Sequence, residues 1–193
     1  MIPTAAIPLF PLNTVLFPGG PLPLRIFETR YVDMVRRCMR ERTPFGVVLI
    51  LTGAEVGAVT DLAEVGTTAR IVDFYSMPDG LLGITCVGES KFRVIKRWQQ
   101  ADGLNLGDLE CLPVEETIPL PDEHRHLGEL LSKVLPELGD VYAGTPKHFD
   151  DASWVGCRFA EILPISLADK LELLEMQDPL MRLAKVSSVI GVS

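Results

Sequence analysis

The chain has 193 residues, of which 47% are hydrophobic and 23% are charged, so it is long enough to bury a core and too apolar for an intrinsically disordered protein. Its formal net charge of −8 repels a phosphate backbone, which makes nucleic acid an unfavourable partner. No apolar run approaches the roughly 18 residues of a membrane span, so we expect no membrane segment.

The first stretch of the chain, residues 7–26, is rich in proline. Each proline fixes φ and lacks an amide N–H, which excludes a helix and a fully paired central strand. The prolines are Pro8, Pro11, Pro18, Pro21 and Pro23. The residues between them are mostly apolar, more so than in a solvated linker. We therefore predict extended backbone that is broken by turns and buried.

A helical period begins after Ile26. At a step of about 100° per residue, apolar side chains fall on one side and charged ones on the other. The apolar side carries Phe27, Tyr31, Met34, Val35, Cys38 and Met39, and the charged side carries Arg30, Asp33, Arg36, Arg37, Arg40 and Glu41. Pro44 disfavours helix at Thr43. The pattern predicts an amphipathic helix of about four turns.

Residues 45–114 carry strand patterns. The apolar run Phe45–Leu51 predicts a strand that is covered on both faces, and the glycine-containing, mildly acidic Thr52–Gly66 predicts a surface loop. Pro78-Asp79-Gly80 is typical of a tight hairpin turn. The remaining predicted strands are Thr67–Met77, Leu81–Val87, Lys91–Gln99 and Leu106–Val114. Several short strands with one early helix predict a small, partly closed β-barrel.

From Pro121 onward the patterns are helical. Apolar residues recur every three or four positions, and helix-capping residues precede each run. The four predicted helices run from Asp122 to Leu138, from about Asp151 to Leu163, from Leu167 to Met176 after the capping pair Ser166 and Asp169, and from Asp178 to about Val189. Strands followed by helices predict an α+β fold.

These segments together resemble the N-terminal, or substrate-binding, domain of Lon proteases. The likeness rests first on Pro-Leu-Phe-Pro-Leu-Asn-Thr-Val-Leu-Phe-Pro-Gly-Gly at residues 8–20, Pro-Leu-Arg-Ile-Phe-Glu at residues 23–28, and Arg30-Tyr31. This chain also resembles the β region of that domain at Gly66-Thr67, Pro78-Asp79-Gly80, Gly88 and Phe92-Arg93-Val94. It resembles the helical tail of that domain at Lys170–Glu175 and Asp178–Leu183. The ordered succession of these segments spans nearly the whole chain.

The resemblance implies a fold and a role. The fold is a PUA-like, partly closed β-barrel over residues 1–118, followed by a C-terminal helical bundle over residues 119–193. The role is non-catalytic recognition, since in Lon proteases this domain helps to select protein substrates, whereas separate modules hydrolyse ATP and cleave peptides. Those modules would follow beyond Ser193. We therefore expect a stand-alone domain that is not an enzyme.

The residues themselves favour the same interpretation. The chain has no G-x-x-x-x-G-K-[ST], G-x-S-x-G or H-E-x-x-H motif. We expect surface histidines without a metal at His124, His126 and His148, and buried free thiols at the scattered Cys38, Cys86, Cys111 and Cys157. No catalytic residue, cofactor or metal ligand is predicted. The N-terminus has no Lys or Arg before Arg25, which argues against a signal peptide and for the cytoplasm.

The expected partner is an unfolded or flexible polypeptide, and we leave open a protease or chaperone partner and a homodimer. The candidate contact residues are Phe17, Arg25, Phe27, Tyr31, Tyr75 and Met77. The alternative is RNA, because the PUA-like class includes RNA-binding proteins and the charged helix face carries Arg30, Arg36, Arg37 and Arg40. A solvated face that pairs with Asp33 and Glu41 is the simpler explanation of those arginines.

Overall fold

The computed structural model describes residues 6–53, 55 and 59–191. They belong to two compact units, Met1–Leu112 and Pro113–Ser193. The first unit contains the strands and one helix, and the second contains the remaining helices. The division that the sequence predicts after residue 118 falls inside the second unit, because the last strand already ends at Cys111.

The first unit is built on a mixed β-sheet that closes on itself. Its described strands are β1 (Ile7–Leu12), β2 (Pro21–Ile26), β3 (Phe45–Gly53), β4 (Val59–Ser76), β5 (Leu82–Gln99) and β6 (Asn105–Cys111), and helix α1 (Thr29–Glu41) joins β2 to β3. The strand order is β2-β5-β4-β3-β1-β6, and β6 also pairs with β5. Strands β5, β4, β3, β1 and β6 therefore form a ring, with β2 added outside it. This confirms the predicted α+β fold with a partly closed barrel.

Strand β5 closes the ring because its two halves have different partners. Its first half, Leu82–Val87, pairs with β2, and its second half, Phe92–Gln99, pairs with β6. Between the halves lies Gly88, where a Cβ atom would come within 2.3 Å of the Phe17 carbonyl oxygen. The prediction of two separate strands here is wrong, since the glycine permits a close backbone approach without ending the strand.

Strand β1 shows how prolines enter a sheet. It pairs with β6 in antiparallel over Ile7–Leu9 and with β3 in parallel over Leu9–Leu12. Only Leu9 has a partner on both sides, so the expectation of extended, buried and not fully paired backbone is confirmed for β1, whereas Pro23 and Arg25 of β2 are exposed. Every strand of the ring contributes to one buried cluster, which therefore fills the ring: Leu9, Val48, Ile50, Leu62, Phe92 and Leu109.

The predicted loop Thr52–Gly66 is wrong for most of its length. β3 continues to Gly53 and β4 begins at Val59, while residues 54 and 56–58 of the predicted loop lie outside the described part of the chain. The acidic Asp61 and Glu64 are exposed on β4 whereas Leu62 and Val65 are buried, so the charges belong to the solvent side of a strand. The last predicted strand also ends earlier than Val114, at Cys111.

Helix α1 confirms the amphipathic prediction. Its buried side carries Tyr31, Met34, Val35 and Cys38, which pack with residues of the sheet in a second buried cluster. Phe27 is an exception, because it precedes the first helical residue and its side chain is 55% exposed. The helix ends at Arg42, which has left-handed backbone angles, φ 54° and ψ 41°.

The second unit contains helices α2 (Arg125–Glu137), α3 (Ala152–Ile162), α4 (Leu167–Glu175) and α5 (Pro179–Gly191). The predicted cap at Ser166 is confirmed, since its hydroxyl accepts a hydrogen bond from the Asp169 amide at 3.1 Å. Asp151 and Asp178 cap α3 and α5 in the same way. Asp122 does not cap α2, because a 3-10 turn over Asp122–His124 precedes that helix and the Asp122 carboxylate pairs with Arg125.

A buried ion pair holds the second unit together. The Arg182 side chain on α5 is 1% exposed, and its Nη1 and Nη2 atoms donate to the two carboxylate oxygens of Glu115 at 2.8 and 2.5 Å. The same guanidinium donates to the backbone carbonyls of Leu173 and Met176. The extended segment that carries Glu115 is thereby tied to α5 and to the end of α4.

Candidate functional site

A groove of about 240 Å³ lies beside strand β2 in the first unit. We call it the β2 groove. Its walls are formed by β1, β2 and the start of α1, and its lining includes Phe10, Leu12, Arg25, Phe27, Tyr31 and Glu55. Three of the six candidate contact residues, Arg25, Phe27 and Tyr31, therefore meet at one place.

The position of β2 leaves the groove accessible. Among the described strands, β2 is at the end of the sheet order and pairs only with β5. Pro21 and Pro23 lie in this edge strand and have no amide hydrogen to donate. A strand from another chain would find few donors here, so the sequence discourages simple sheet extension. Side-chain contacts are the better means of binding at this edge.

Tyr31 is the most unusual residue of the groove. Its ring is 3% exposed and stacks on Phe10, with the ring centroids 4.0 Å apart and an interplanar angle of 21°. Its hydroxyl is buried and has no hydrogen-bond partner among the described residues. Burial raises the pKa of this hydroxyl, and the carboxylates of Glu28 and Glu55 raise it further against the opposing effect of Arg30. The hydroxyl therefore stays protonated and offers a hydrogen bond that the described protein leaves unused.

Phe27 and Arg25 form the outer rim of the groove. The Phe27 ring is 55% exposed although it lies next to the buried Ile26. The Arg25 guanidinium makes an ion pair of 2.5 Å with Asp79 in the β4–β5 turn, and its side chain remains 56% exposed. An exposed aromatic ring beside a tethered cation is an arrangement that favours contact with another polypeptide.

Tyr75 lies two strands away from Arg25 on the same face of the sheet. Gly83 of β5 is in register with Arg25 of β2 and with Tyr75 of β4. A Cβ atom on Gly83 would come within 2.3 Å of the Tyr75 ring, so the glycine makes room for that ring to lie over β5. Tyr75 is 42% exposed and extends the apolar surface beyond the groove.

The other two candidate contact residues are placed differently. Phe17 is 0% exposed, so it belongs to the core and offers no surface to a partner. Met77 is half-buried at the β4–β5 turn, where its amide donates to the Leu81 carbonyl at 2.9 Å. The six candidate contact residues do not include Phe10, Leu12 and Glu55, which also line the groove.

The four arginines of the RNA alternative line a separate recess of about 320 Å³. Most of them have acidic partners. Arg30 pairs with Glu28 at 2.8 Å, Arg36 pairs with Asp33 at 3.3 Å, and Arg40 pairs with Glu41 at 3.1 Å, whereas Arg37 makes no ion pair with a described residue. The Arg30 side chain is only 11% exposed and also donates to the Gly103 carbonyl. Arg30 is therefore fixed by the fold.

The cysteines and histidines of the described residues differ in their exposure. Cys38, Cys86 and Cys157 are buried free thiols as predicted, but Cys111 is exposed, because it lies at the end of β6. His126 and His148 are exposed, whereas the His124 side chain is only 17% exposed, so the prediction of a surface position is wrong for His124. Within the described residues, no group of His, Cys, Asp and Glu is arranged to hold a metal ion, and no described helix is long and apolar enough to cross a membrane.

Comparison with known proteins identifies the family. The sequence model of one protein family, the ATP-dependent protease La (LON) substrate-binding domain, matches residues 6–191. The chain belongs to the Lon substrate-binding domain family. Its fold has a TM-score of 0.79 to the crystal structure of a Lon N-terminal domain protein from Xanthomonas campestris, at 37% identity over 96% of this chain and 98% of that one. The resemblance stated from the sequence is thus confirmed.

Curated relatives of this Lon-type domain are whole Lon proteases. One from Paraburkholderia phytofirmans is 29% identical to this chain; the match covers 97% of this chain and 25% of that protease. One from Anaeromyxobacter dehalogenans is 24% identical; the match covers 89% of this chain and 21% of that protease. The chain therefore spans a quarter or less of these proteases. The N-terminal domain of a Mycobacterium avium complex Lon protease, at 17% identity and a TM-score of 0.66, shares the fold.

Proposed function

We propose that this Lon-type domain is a non-catalytic recognition module that binds unfolded or flexible polypeptide segments in the β2 groove. The observation that carries the proposal is the buried Tyr31 hydroxyl, which has no hydrogen-bond partner among the described residues and lies in an apolar groove beside the exposed Phe27. Native proteins rarely leave such a group without a partner, so its acceptor is a water molecule or a bound ligand.

The groove suits a peptide in two ways. An apolar side chain of the peptide packs against the exposed Phe27 ring, and a peptide carbonyl accepts the Tyr31 hydroxyl hydrogen bond once the groove opens at its rim, because this hydroxyl is buried in the unbound protein. A single small groove of about 240 Å³ accommodates few side chains, so we expect weak binding with broad selectivity. We propose no chemical step for this domain. A protease or a chaperone would therefore have to act on the segments that it binds.

The alternative is RNA binding through the arginine recess. It is supported by the four arginines that line one surface, of which Arg37 has no ion-pair partner among the described residues. It is weakened by the ion pairs of Arg30, Arg36 and Arg40 and by the net charge of −8. The two functions differ in their salt dependence, since phosphate contacts release counterions and apolar contacts do not.

The test is fluorescence anisotropy of a labelled unfolded polypeptide and of a labelled structured RNA, each titrated with the protein at low and high salt. Phe27→Ala removes the exposed ring of the groove, and Ile95→Ala is the matched control, because Ile95 is 62% exposed on β5 and does not line the groove. We expect Phe27→Ala to raise the Kd for the polypeptide about 3- to 10-fold, from the loss of apolar contact area.

Salt-insensitive binding of the polypeptide that is weakened by Phe27→Ala and unchanged by Ile95→Ala would support the proposal. Salt-sensitive binding of the RNA alone, lost on substitution of Arg37, would reject it in favour of the alternative. Equal effects of the two alanine substitutions would show that polypeptide binds elsewhere on the chain.

A further inference from the structure

A second cavity lies in the first unit, between the end of α1 and strand β4. We call it the α1–β4 slot. It has a volume of about 360 Å³, and its lining includes Cys38, Met39, Arg42, Arg70, Val72 and Phe74. None of these residues lines the β2 groove.

An irregularity of β4 gives the slot its apolar wall. Ile71 is in register with Cys86 and Asp73 with Thr85, so Val72 is an extra residue that β5 does not match. Such a bulge redirects neighbouring side chains and is common beside functional sites. Here Val72 is 45% exposed and Phe74 is 60% exposed, opposite the buried Cys38 and the half-buried Met39. A large apolar side chain of another molecule would find apolar contacts on both walls.

Arg42 supplies the charge at this slot. It is the one described residue other than glycine with positive φ, a conformation in which glycine usually ends a helix. Its side chain is exposed and makes no ion pair with a described residue, whereas the nearby Arg40 pairs with Glu41 and Arg70 pairs with Glu89. An arginine in a backbone position that disfavours it suggests that its side chain has a use.

One carboxylate also lies on this rim. Asp73 lines the slot, and its Oδ1 atom accepts a hydrogen bond from the Phe74 amide at 2.8 Å. The described lining thus carries two arginines and one carboxylate, and because Arg70 is already paired with Glu89, Arg42 is the cation that remains for a partner. The occupant that this combination fits has a large apolar group next to a negative charge.

We infer that the α1–β4 slot binds a polypeptide segment in which an aromatic or large aliphatic residue is followed by Asp or Glu. The apolar side chain enters between Phe74 and Met39, and the acidic side chain pairs with the Arg42 guanidinium. This is a site separate from the β2 groove, with a preference for acidic neighbours that the net charge of the chain would otherwise oppose. Binding here does not depend on the Tyr31 hydroxyl.

The test uses two labelled decapeptides, each with blocked termini and otherwise neutral residues, that contain either Phe-Glu or Phe-Gln at the centre. Anisotropy titrations compare the wild-type protein with Arg42→Gln and with the control Arg97→Gln, since Arg97 is an exposed arginine of β5 that does not line the slot. Wild type and Arg97→Gln should bind the Phe-Glu peptide about 3- to 10-fold more tightly than the Phe-Gln peptide, as expected for one charge-assisted pair. Arg42→Gln should bind both equally.

Arg42→Gly provides a second variant that separates binding from folding. Glycine suits the left-handed backbone, so this variant should unfold at the same or a higher urea concentration than wild type and still lose the preference for Phe-Glu. A preference that persists in Arg42→Gln and Arg42→Gly, or that is absent from wild type, would overturn the inference. Repeating the titration with Tyr31→Phe distinguishes the sites, because that change affects the β2 groove and should leave the Phe-Glu preference intact.

Discussion

The Tyr31 hydroxyl, which has no hydrogen-bond partner among the described residues, leads to an unusual prediction: removing a polar group weakens binding and does not weaken the fold. Tyr31→Phe deletes one oxygen from a ring that is 3% exposed and keeps its stacking on Phe10. A buried polar group without a partner costs about 1–3 kcal/mol of stability. We therefore expect the free energy of unfolding of the variant to rise by about 1 kcal/mol, at the lower end of that range.

The same oxygen should matter to a bound peptide. A hydrogen bond to a peptide carbonyl contributes about 0.5–1.5 kcal/mol, so Tyr31→Phe should raise the Kd for an unfolded polypeptide about 2- to 12-fold. Urea denaturation followed by circular dichroism measures the first effect and anisotropy measures the second. Tyr142→Phe is the matched control, because its hydroxyl donates to Glu161 at 3.1 Å and its removal should lower stability by about 1–2 kcal/mol without changing the Kd. A variant Tyr31→Phe that loses stability and binds normally would refute the reasoning.

Three further predictions concern the fold. Glu115→Gln should lower the free energy of unfolding by about 3–5 kcal/mol in urea denaturation, because it leaves the Arg182 guanidinium buried without its carboxylate; an unchanged urea midpoint would contradict this. Gly88→Ala should destabilise by at least about 1–3 kcal/mol, since its Cβ would lie 2.3 Å from a backbone oxygen, whereas Gly144→Ala, with no atom within 4 Å, should cost much less in the same assay. Burial raises the pKa of the Cys86 thiol from 9.0 to about 12, so its contribution to stability is complete below pH 9 and is lost as the pH rises towards 12. Between pH 7 and 10, the free energy of unfolding from urea denaturation should therefore fall by about 1.4 kcal/mol more for wild type than for Cys86→Ala. Equal decreases would contradict a raised pKa of the Cys86 thiol.

The features that the sequence predicted well depend on local chemistry. Ser166 and Asp178 cap helices because their side chains reach amides only two or three residues ahead. The β4–β5 turn follows from Gly80, which adopts φ 80° at no steric cost. The prolines of residues 7–26 exclude a helix wherever the rest of the chain lies.

The features that it predicted poorly depend on contacts between distant residues. Gly88 interrupts the strand pattern in the sequence, yet in the fold it lets the Phe17 carbonyl approach β5, and the strand continues. Asp61 and Glu64 indicated a loop, although they are the outward-facing residues of a strand whose other side is buried. No local rule fixes which strand closes the ring.

The candidate site shows the same division. The sequence placed Arg25, Phe27 and Tyr31 among the contact residues, and all three line the β2 groove. The sequence also placed the buried Phe17 among the contact residues. In an extended segment, the sequence pattern around an apolar residue does not distinguish a side chain that faces the core from one that faces the solvent. That no described residue pairs with the Tyr31 hydroxyl could not be predicted, since it depends on which distant residues the fold brings near that oxygen.

The central claim, that polypeptide binds in the β2 groove, is tested most directly by photocrosslinking. A benzophenone amino acid replaces Phe27 in one protein and Ile95 in another, and each is irradiated with a labelled unfolded polypeptide or a labelled structured RNA. Both positions are more than half exposed, so they are equally open to solution. We expect a strong crosslink from position 27 to the polypeptide, at both low and high salt, and little from position 95. Equal crosslinking from the two positions, or crosslinking from position 27 to RNA alone, would contradict it.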